Sequence, residues 1–508
     1  MTTSFDHIVI GTGSAGSPVI RRLVDAGRRV LVLEAGPVDD SPDITDPAGM
    51  LALRAPGAPT DWAYRTTPQP EVDGRSLDYP RGKVLGGSSA INGMIHVRGR
   101  RADFDAWAYA GAAGWGWDDV LPYFIRSEDH HAGAGALHGV GGPLPVGVNN
   151  AISPLTRAQL DAARESGIPF NPDVNAGILD GASYIDVNIR DGRRVSAWAG
   201  YVAPVLGHPL LTVVTGAQVT GLVIEAGVAV GARYVVAGEE RTAGCIGEVV
   251  LCAGAIGSPQ ILMLSGIGPR DQLRALGIDV LVDAPEVGEN LQDHLITQVV
   301  WRSRLPFVPP ALNALEAQLF LRTEPGLIGP DVQPVTCLFG YPVDGYEIPV
   351  EGVFAWMPGL VRPQSRGHVR LAGADPLAAP LIDPRYLSDP RDVEALLTTL
   401  ELCRSLADQP AMKAVAVEEI APGPQVRTRA GLRAYLKASL STYYHPTSTC
   451  RMGADAGSVV DPQLRVRGVA GLRIADASIM PTITSGNTHA PSVMIGERAA
   501  GLILGAVP

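Results

Sequence analysis

Ile8, Val9 and Ile10 follow one another without a polar break, the pattern of a strand buried on both faces. The run stops at Gly11-Thr12-Gly13-Ser14-Ala15-Gly16, and apolar positions then return at helical spacing through Ile20, Leu23 and Val24. A second unbroken run, Val30 to Leu33, ends on Glu34. Ala102 to Phe124 reads as short helices, and helical spacing recurs through Leu155, Gln159, Leu160 and Ala163. From Leu210 to Ala237 three strand-like runs alternate with glycines (Leu211–Val214, Val219–Ile224, Val228–Val236), which predicts an antiparallel meander. Glu248 to Cys252 is a further buried strand. It breaks into small residues, Ala253 and Gly254 among them, before a helix through Ile261, Leu262 and Leu264. Strand and helix signals mix between Trp301 and Ser439, with an apolar run holding Phe354, Trp356 and Met357. Near the C-terminus a strand from Leu472 ends on Asp476. An amphipathic helix through Val493, Met494, Glu497 and Ala500 starts close to Pro491, a residue suited to a first turn.

Strand, glycine turn, helix, strand and acid in that order form the βαβ fingerprint of a dinucleotide site. Gly11 permits the tight turn, Gly13 the approach of backbone N–H groups to a pyrophosphate, and Gly16 close packing of helix on strand. The helix N-terminus favours the phosphate charge, and Ser14 lies in that turn. Glu34 suits a ribose diol, and the absence of an arginine there argues against a 2′-phosphate. The fingerprint alone leaves NAD and FAD open. The fold class expected is α/β (α+β overall): a Rossmann-like dinucleotide domain of residues 1–150, 203–300 and 442–508. A substrate domain of residues 151–202 and 301–441, an antiparallel sheet with helices, is inserted into it.

Composition narrows the classes. In 508 residues, 46% hydrophobic and 18% charged content describes a globular protein with a large core. A net charge of −11, with no basic stripe, speaks against a nucleic-acid partner. The five cysteines are scattered without a metal spacing, so no metal is expected. The N-terminus shows no secretory pattern, and no apolar stretch approaches the roughly 20 residues of a membrane span. A cytoplasmic protein is the simplest expectation.

Two further stretches carry chemistry. In Gly86-Gly87-Ser88-Ser89-Ala90-Ile91-Asn92-Gly93, paired glycines and hydroxyls let backbone lie against a planar or phosphorylated ligand, although a purely structural turn is equally compatible. His445 sits in a turn followed by small residues, while Asn487 and His489 are expected just before the N-terminus of the last helix. Trp62, Trp356 and Tyr444 are candidates for a substrate pocket.

Together these segments resemble the glucose–methanol–choline oxidoreductases. The likeness runs through the GTGSAG turn with Glu34, GKVLGGSSAIN (Gly82 to Asn92) and GAIGSPQILMLSGIG (Gly254 to Gly268). It continues through HPTSTCRMG (His445 to Gly453) and NTHAPSVMIGE (Asn487 to Glu497). Choline-dehydrogenase-like, hydroxymethylfurfural-oxidase-like and pyridoxine-oxidase-like members are the nearest in kind. The resemblance implies FAD, held by the glycine turns, Asn92, Gly93, Ala253, Gly254, Asp476, Ala477 and the Val219 backbone. It implies His445 as the active-site histidine and His489 as the second catalytic position, with Asn487 beside them. The activity implied is oxidation of a primary alcohol, aromatic or heteroaromatic by expectation, with hydride passing to flavin N5 and His445 as general base. The acceptor is oxygen, or alternatively a quinone or other acceptor as in a choline-type dehydrogenase. A hydroxynitrile lyase is the more distant alternative. Three departures stand out. Ile91 replaces the histidine that attaches FAD covalently in some relatives, so a non-covalent flavin is expected. Ser448 stands where glycine is usual, and His96 where an aromatic residue is usual; both could alter the pocket.

Overall fold

Five parallel strands build the sheet on which the rest is arranged. In chain order they and their helices are β1 (His7–Ile10), α1 (Gly16–Asp25), β2 (Val30–Leu33), β3 (Leu211–Val214), β4 (Val249–Leu251), α2 (Gly254–Leu264), β5 (Leu472–Ile474) and α3 (His489–Leu504). The strand order is β3-β2-β1-β4-β5. The structure, a computed structural model, describes residues 5–148, 151–307, 310 and 312–505. All residues of β1, β2 and β4 are buried, which is why those runs carry no polar alternation.

β3 corrects the sequence reading. Leu211–Val214 was expected to open a meander, but it pairs in parallel with β2, Leu211 opposite Val30 and Val214 opposite Leu33. The antiparallel sheet begins only after the turn at Gly216 and comprises Gln218–Glu225, Val228–Val236 and Glu239–Gly244. Helix α3 begins at His489 itself rather than after it, with Pro491 in its first turn. It crosses the start of α1 at backbone contact: a Cβ on Gly496 would lie 2.1 Å from the Ala15 carbonyl oxygen. Glu497 locks the crossing. Its fully buried carboxylate pairs with Arg22 at 2.8 Å and Arg126 at 2.6 Å, and the Tyr201 hydroxyl donates to it at 2.8 Å.

A second core surrounds a six-stranded antiparallel sheet. Its order is Ala416–Ala421, Val299–Ser303, Val353–Met357, Val335–Cys337, Ala317–Phe320 and Gly181–Tyr184. Helices Pro154–Glu165 and Pro390–Leu406 pack against it, and Gln159 Nε2 of the first donates to the Ala355 carbonyl at 3.0 Å. Core membership is interleaved along the chain. Tyr64, Tyr79 and Val97 belong to this second core, whereas Trp198, Tyr201 and Val202 belong to the core of the parallel sheet. Among the described residues no helix is long and apolar enough to cross a membrane.

Candidate active site

A cavity of about 850 Å³ runs from the carboxyl ends of β1 and β2 to the antiparallel sheet. Ligand sites of open α/β sheets lie at this edge because the helix N-termini and the turn glycines gather there. Gly11 has φ +99° and its missing Cβ would lie 2.5 Å from the Cys252 carbonyl oxygen, so no other residue fits the turn. The second glycine turn packs on the first: Gly87 has φ +50°, and a Cβ there would come within 2.9 Å of Gly13 Cα. Gly86 N–H donates to Thr12 Oγ1 at 3.1 Å, fastening the two turns together. The start of α1 carries no side-chain cap, but Ser17 N–H bonds back to the Gly13 carbonyl at 3.1 Å and Pro18 has no N–H, so the helix dipole rather than a row of free N–H groups favours an anion there.

Most of the residues picked from sequence line this one cavity. Gly11, Gly13, Ser14, Glu34, Val219, Gly87, Ser88, Asn92, Gly93, Ala253, Gly254, Asp476, Ala477, His445, Asn487, His489, Trp62 and Tyr444 all line it. Three do not. Gly16 and Gly86 act through packing and turn geometry; a Cβ on Gly16 would meet the Gly11 carbonyl oxygen at 2.1 Å. Trp356 is fully buried and faces away: strand alternation turns its neighbour Met357 to the cavity instead.

The two acids are already engaged. Glu34 accepts from Thr12 N–H and Oγ1 at 3.0 and 2.6 Å and from Gly36 N–H at 2.9 Å. Asp476 accepts from Gly254 N–H at 2.9 Å, Ser258 Oγ at 2.6 Å and Ser478 N–H at 2.8 Å. Burial raises both carboxyl pKa values, against the pull of these bonds. Asn92 is likewise held, accepting from Met94 N–H and from Arg194 Nη1, each at 2.9 Å. Arg194 is buried, and its Nη2 has no partner among the described residues.

At the other end His445 is gripped on three sides. Its backbone N–H donates to Asp293 Oδ1 at 2.8 Å, and Asp293 Oδ2 accepts from Tyr386 and Thr442 at 2.5 and 2.6 Å. Its Nδ1 lies 3.0 Å from Nδ1 of His294, and its Nε2 lies 3.3 Å from Asn487 Nδ2. Asn487 Oδ1 accepts from Gln333 Nε2 at 3.0 Å, which turns the amide NH₂ toward His445. Nε2 is then the acceptor, and the ring proton sits on Nδ1, shared with His294. Burial and the neighbouring His294 and Arg81 hold the His445 pKa well below its usual value, so the ring is neutral at neutral pH.

His489 does something else. Its Nδ1 lies 2.8 Å from Ser14 Oγ in the dinucleotide turn, so Asn487, not His489, is the side chain bonded to His445. Burial lowers the His489 pKa to about 4. The sequence reading passed over His294 and Asp293. The available signal was a polar trio, Gln292-Asp293-His294, set between buried Leu291 and Leu295. Ser448 adopts φ +77°, the left-handed region, which explains why glycine is the usual residue there. The His96 ring is buried against Asn188 and does not line the cavity.

A glycine-turned parallel sheet opening on a cavity that ends at a buried, neutral imidazole defines the class: an enzyme on a nucleotide-binding fold. Residues 5–296 and 363–496 match two family models, both described as GMC oxidoreductase. The chain belongs to that family and is an oxidoreductase acting on alcohols. It is 37% identical to an alcohol dehydrogenase (acceptor) of Pseudomonas putida, over 98% of this chain and 96% of that one. An oxygen-dependent choline dehydrogenase of Rhizobium rhizogenes is 39% identical over 98% and 95% of the two chains. Among solved structures, pyridoxine 4-oxidase from Mesorbium loti superposes with a TM-score of 0.94 at 36% identity, covering 98% of each chain.

Proposed function

We propose that the protein is an FAD-dependent alcohol oxidase that converts a primary aromatic or heteroaromatic alcohol to its aldehyde, with His445 as the proton acceptor. The observation that carries the reading is the single cavity joining the glycine turns to the lone pair of His445 Nε2. The residues present fit FAD. Gly11, Gly13 and Gly87 leave backbone room, the start of α1 carries no side-chain cap, and the Arg194 guanidinium, bonded to Asn92 and the Ile44 carbonyl, acts electrostatically on His489 beside the first turn. Glu34 and Val219 would hold the adenosine end; Ser14, Gly254 and Ala477 the pyrophosphate; Asn92 and Gly93 the ring. Ile91 lines the cavity where a covalent link would need a histidine, which supports a non-covalent flavin. When bound, FAD supplies the acceptor for the hydride that leaves the alcohol carbon.

The chain's own groups do the rest. Nε2 of His445 takes the hydroxyl proton, help that is typically worth about 10²–10⁴-fold. Asn487 Nδ2, which otherwise donates to Nε2, would donate to the alcohol oxygen instead, freeing the Nε2 lone pair and holding the hydroxyl in line with it. His294 keeps the one N–H proton of the neutral His445 ring on Nδ1, so that Nε2 stays the basic atom. His489 orients Ser14 rather than the substrate.

The cavity walls favour an arene. Trp62 stacks on Tyr64 at 5.5 Å, and Tyr341, Tyr443 and Met357 complete the apolar side. A quaternary ammonium is less well served: Lys83 Nζ lies over the Trp62 ring at 4.5 Å and Arg54 over the Tyr444 ring at 4.8 Å. Likeness to pyridoxine 4-oxidase supports oxygen as the acceptor, while the alcohol dehydrogenase (acceptor) relative supports a quinone-type acceptor as the second reading. The test is to assay the purified protein with a panel of alcohols in air, measuring aldehyde and peroxide together. Aryl alcohols giving both in equal amounts are expected. Aldehyde formed only with an added quinone would replace oxidase by dehydrogenase, and no aldehyde from any alcohol would refute the reading.

A further inference from the structure

Away from the cavity, strands Glu128–His130, Leu144–Val148 and Asp186–Val187 form a small sheet. The first runs parallel to the second, placing His130 opposite Val146, and the third runs antiparallel to it, placing Asp186 opposite Val148. That register delivers His130, His131 and Asp186 to one spot, where ligand atoms from all three lie within 4.8 Å of one another. None of the three lines the cavity. Gly147 lies between them in the sheet, and a Cβ there would come within 3.1 Å of the His131 ring, so the glycine makes room for that imidazole. The His130 side chain is buried; Ala132 N–H donates to its Nδ1 at 3.3 Å, and its Nε2 has no hydrogen-bond partner among the described residues. Asp186 is buried too. Asn175 Nδ2 donates to its Oδ2 at 3.0 Å.

We propose that His130, His131 and Asp186 bind a divalent transition-metal ion, with Zn²⁺ the first choice. Two imidazoles and one carboxylate form a donor set that suits zinc, with water completing the sphere. His131 is exposed, which gives the ion a path from solvent. Behind the site, the His138 ring stacks on His130 with centroids 3.9 Å apart, clamped by Glu128 at 3.0 Å and Asp173 at 2.9 Å. Those two carboxylates balance its charge and fix the plane on which His130 rests. A bound ion would tie the end of one outer strand to the start of the other. It would also brace the segment that follows the second glycine turn, since His96 N–H donates to the Asp186 carbonyl at 2.8 Å and Ile95 bridges Val187. The ion's role is structural, apart from the alcohol chemistry.

The experiment titrates chelator-treated, FAD-loaded protein with zinc chloride by calorimetry and repeats the titration with Co²⁺, reading its absorption at wavelengths longer than the flavin band. One equivalent is expected to bind and to raise the melting temperature. His131→Ala and Asp186→Asn should each weaken binding by about 100-fold or more while keeping their FAD content. His368→Ala, at a histidine outside the cluster, should bind as the native chain does. No stoichiometric binding to the native chain, or undiminished binding in both cluster variants, would overturn the site.

Discussion

Replacing His445 by alanine separates the proton acceptor from everything else the cavity does. The turn that carries the residue is held through its backbone, by the 2.8 Å bond from His445 N–H to Asp293, and Asp293 keeps its bonds to Tyr386 and Thr442. The glycine turns at the far end are untouched, so FAD content should not change. Two costs follow from the lost ring. The fully buried His294 loses the partner 3.0 Å from its Nδ1, which destabilises the fold by about 1–3 kcal/mol. The alcohol loses its base, and the reductive step should slow by about 10²–10⁴-fold, equivalent to roughly 3–5 kcal/mol of barrier. Anaerobic stopped-flow mixing with an aryl alcohol reads that step as the bleaching rate of the flavin band, and its dependence on alcohol concentration gives the binding constant separately. The limiting rate should collapse while the binding constant moves by less than about tenfold, since the imidazole acts in the transition state more than in the bound complex. A limiting rate within about tenfold of the native protein would refute the assignment of His445.

Gly11→Ala should lose its flavin and lower the unfolding midpoint, because a Cβ would lie 2.5 Å from the Cys252 carbonyl oxygen at a φ of +99° and push the turn out of place; the flavin-to-protein absorbance ratio and thermal unfolding read this. Acid precipitation of the native protein should release all flavin to the supernatant, since Ile91 offers no linkage; flavin retained in the pellet would contradict it. Glu497→Ala should cost about 3 kcal/mol or more in urea unfolding, because Arg22, Arg126 and Tyr201 lose their shared carboxylate. Acid should weaken the fold through its buried imidazoles. His294 and His489 have folded pKa values lowered to about 3 and 4, so the unfolded chain binds more protons below pH 6.5 and stability falls as the pH drops from there toward 4. Unfolding midpoints at several pH values check that slope, and the depressed pKa of His445 places the acid limb of kcat/KM below pH 6.5.

Sequence pattern located the cavity well because its walls are turns, and turns write themselves in glycine. Gly11 and Gly87 need a left-handed φ that few other residues tolerate, so their positions announce the ligand edge before any coordinates exist. Side-chain direction is where the pattern falls short. Trp356 and Met357 are adjacent in an unbroken apolar strand, and only the register of the six-stranded sheet decides which of them meets the cavity. His489 and Asn487 are two residues apart at the start of α3, and the entry angle of that helix aims one at Ser14 and the other at His445. Leu211–Val214 looks like its neighbours in the β-rich stretch, yet its partner is β2, about 180 residues earlier. His294 is marked only by the polar trio Gln292-Asp293-His294; its role arises because the strand Leu295–Ile296 pairs with Ser441–Thr442 and brings it beside His445.

The most direct measurement mixes the FAD-loaded protein, free of oxygen, with a primary aryl alcohol and with the same alcohol deuterated at its carbinol carbon. Full bleaching of the flavin band, slower with the deuterated alcohol and matched by an equivalent of aldehyde, is the predicted result. A band left unchanged by every alcohol, with FAD still bound, would contradict hydride removal in this cavity and the role of His445 with it.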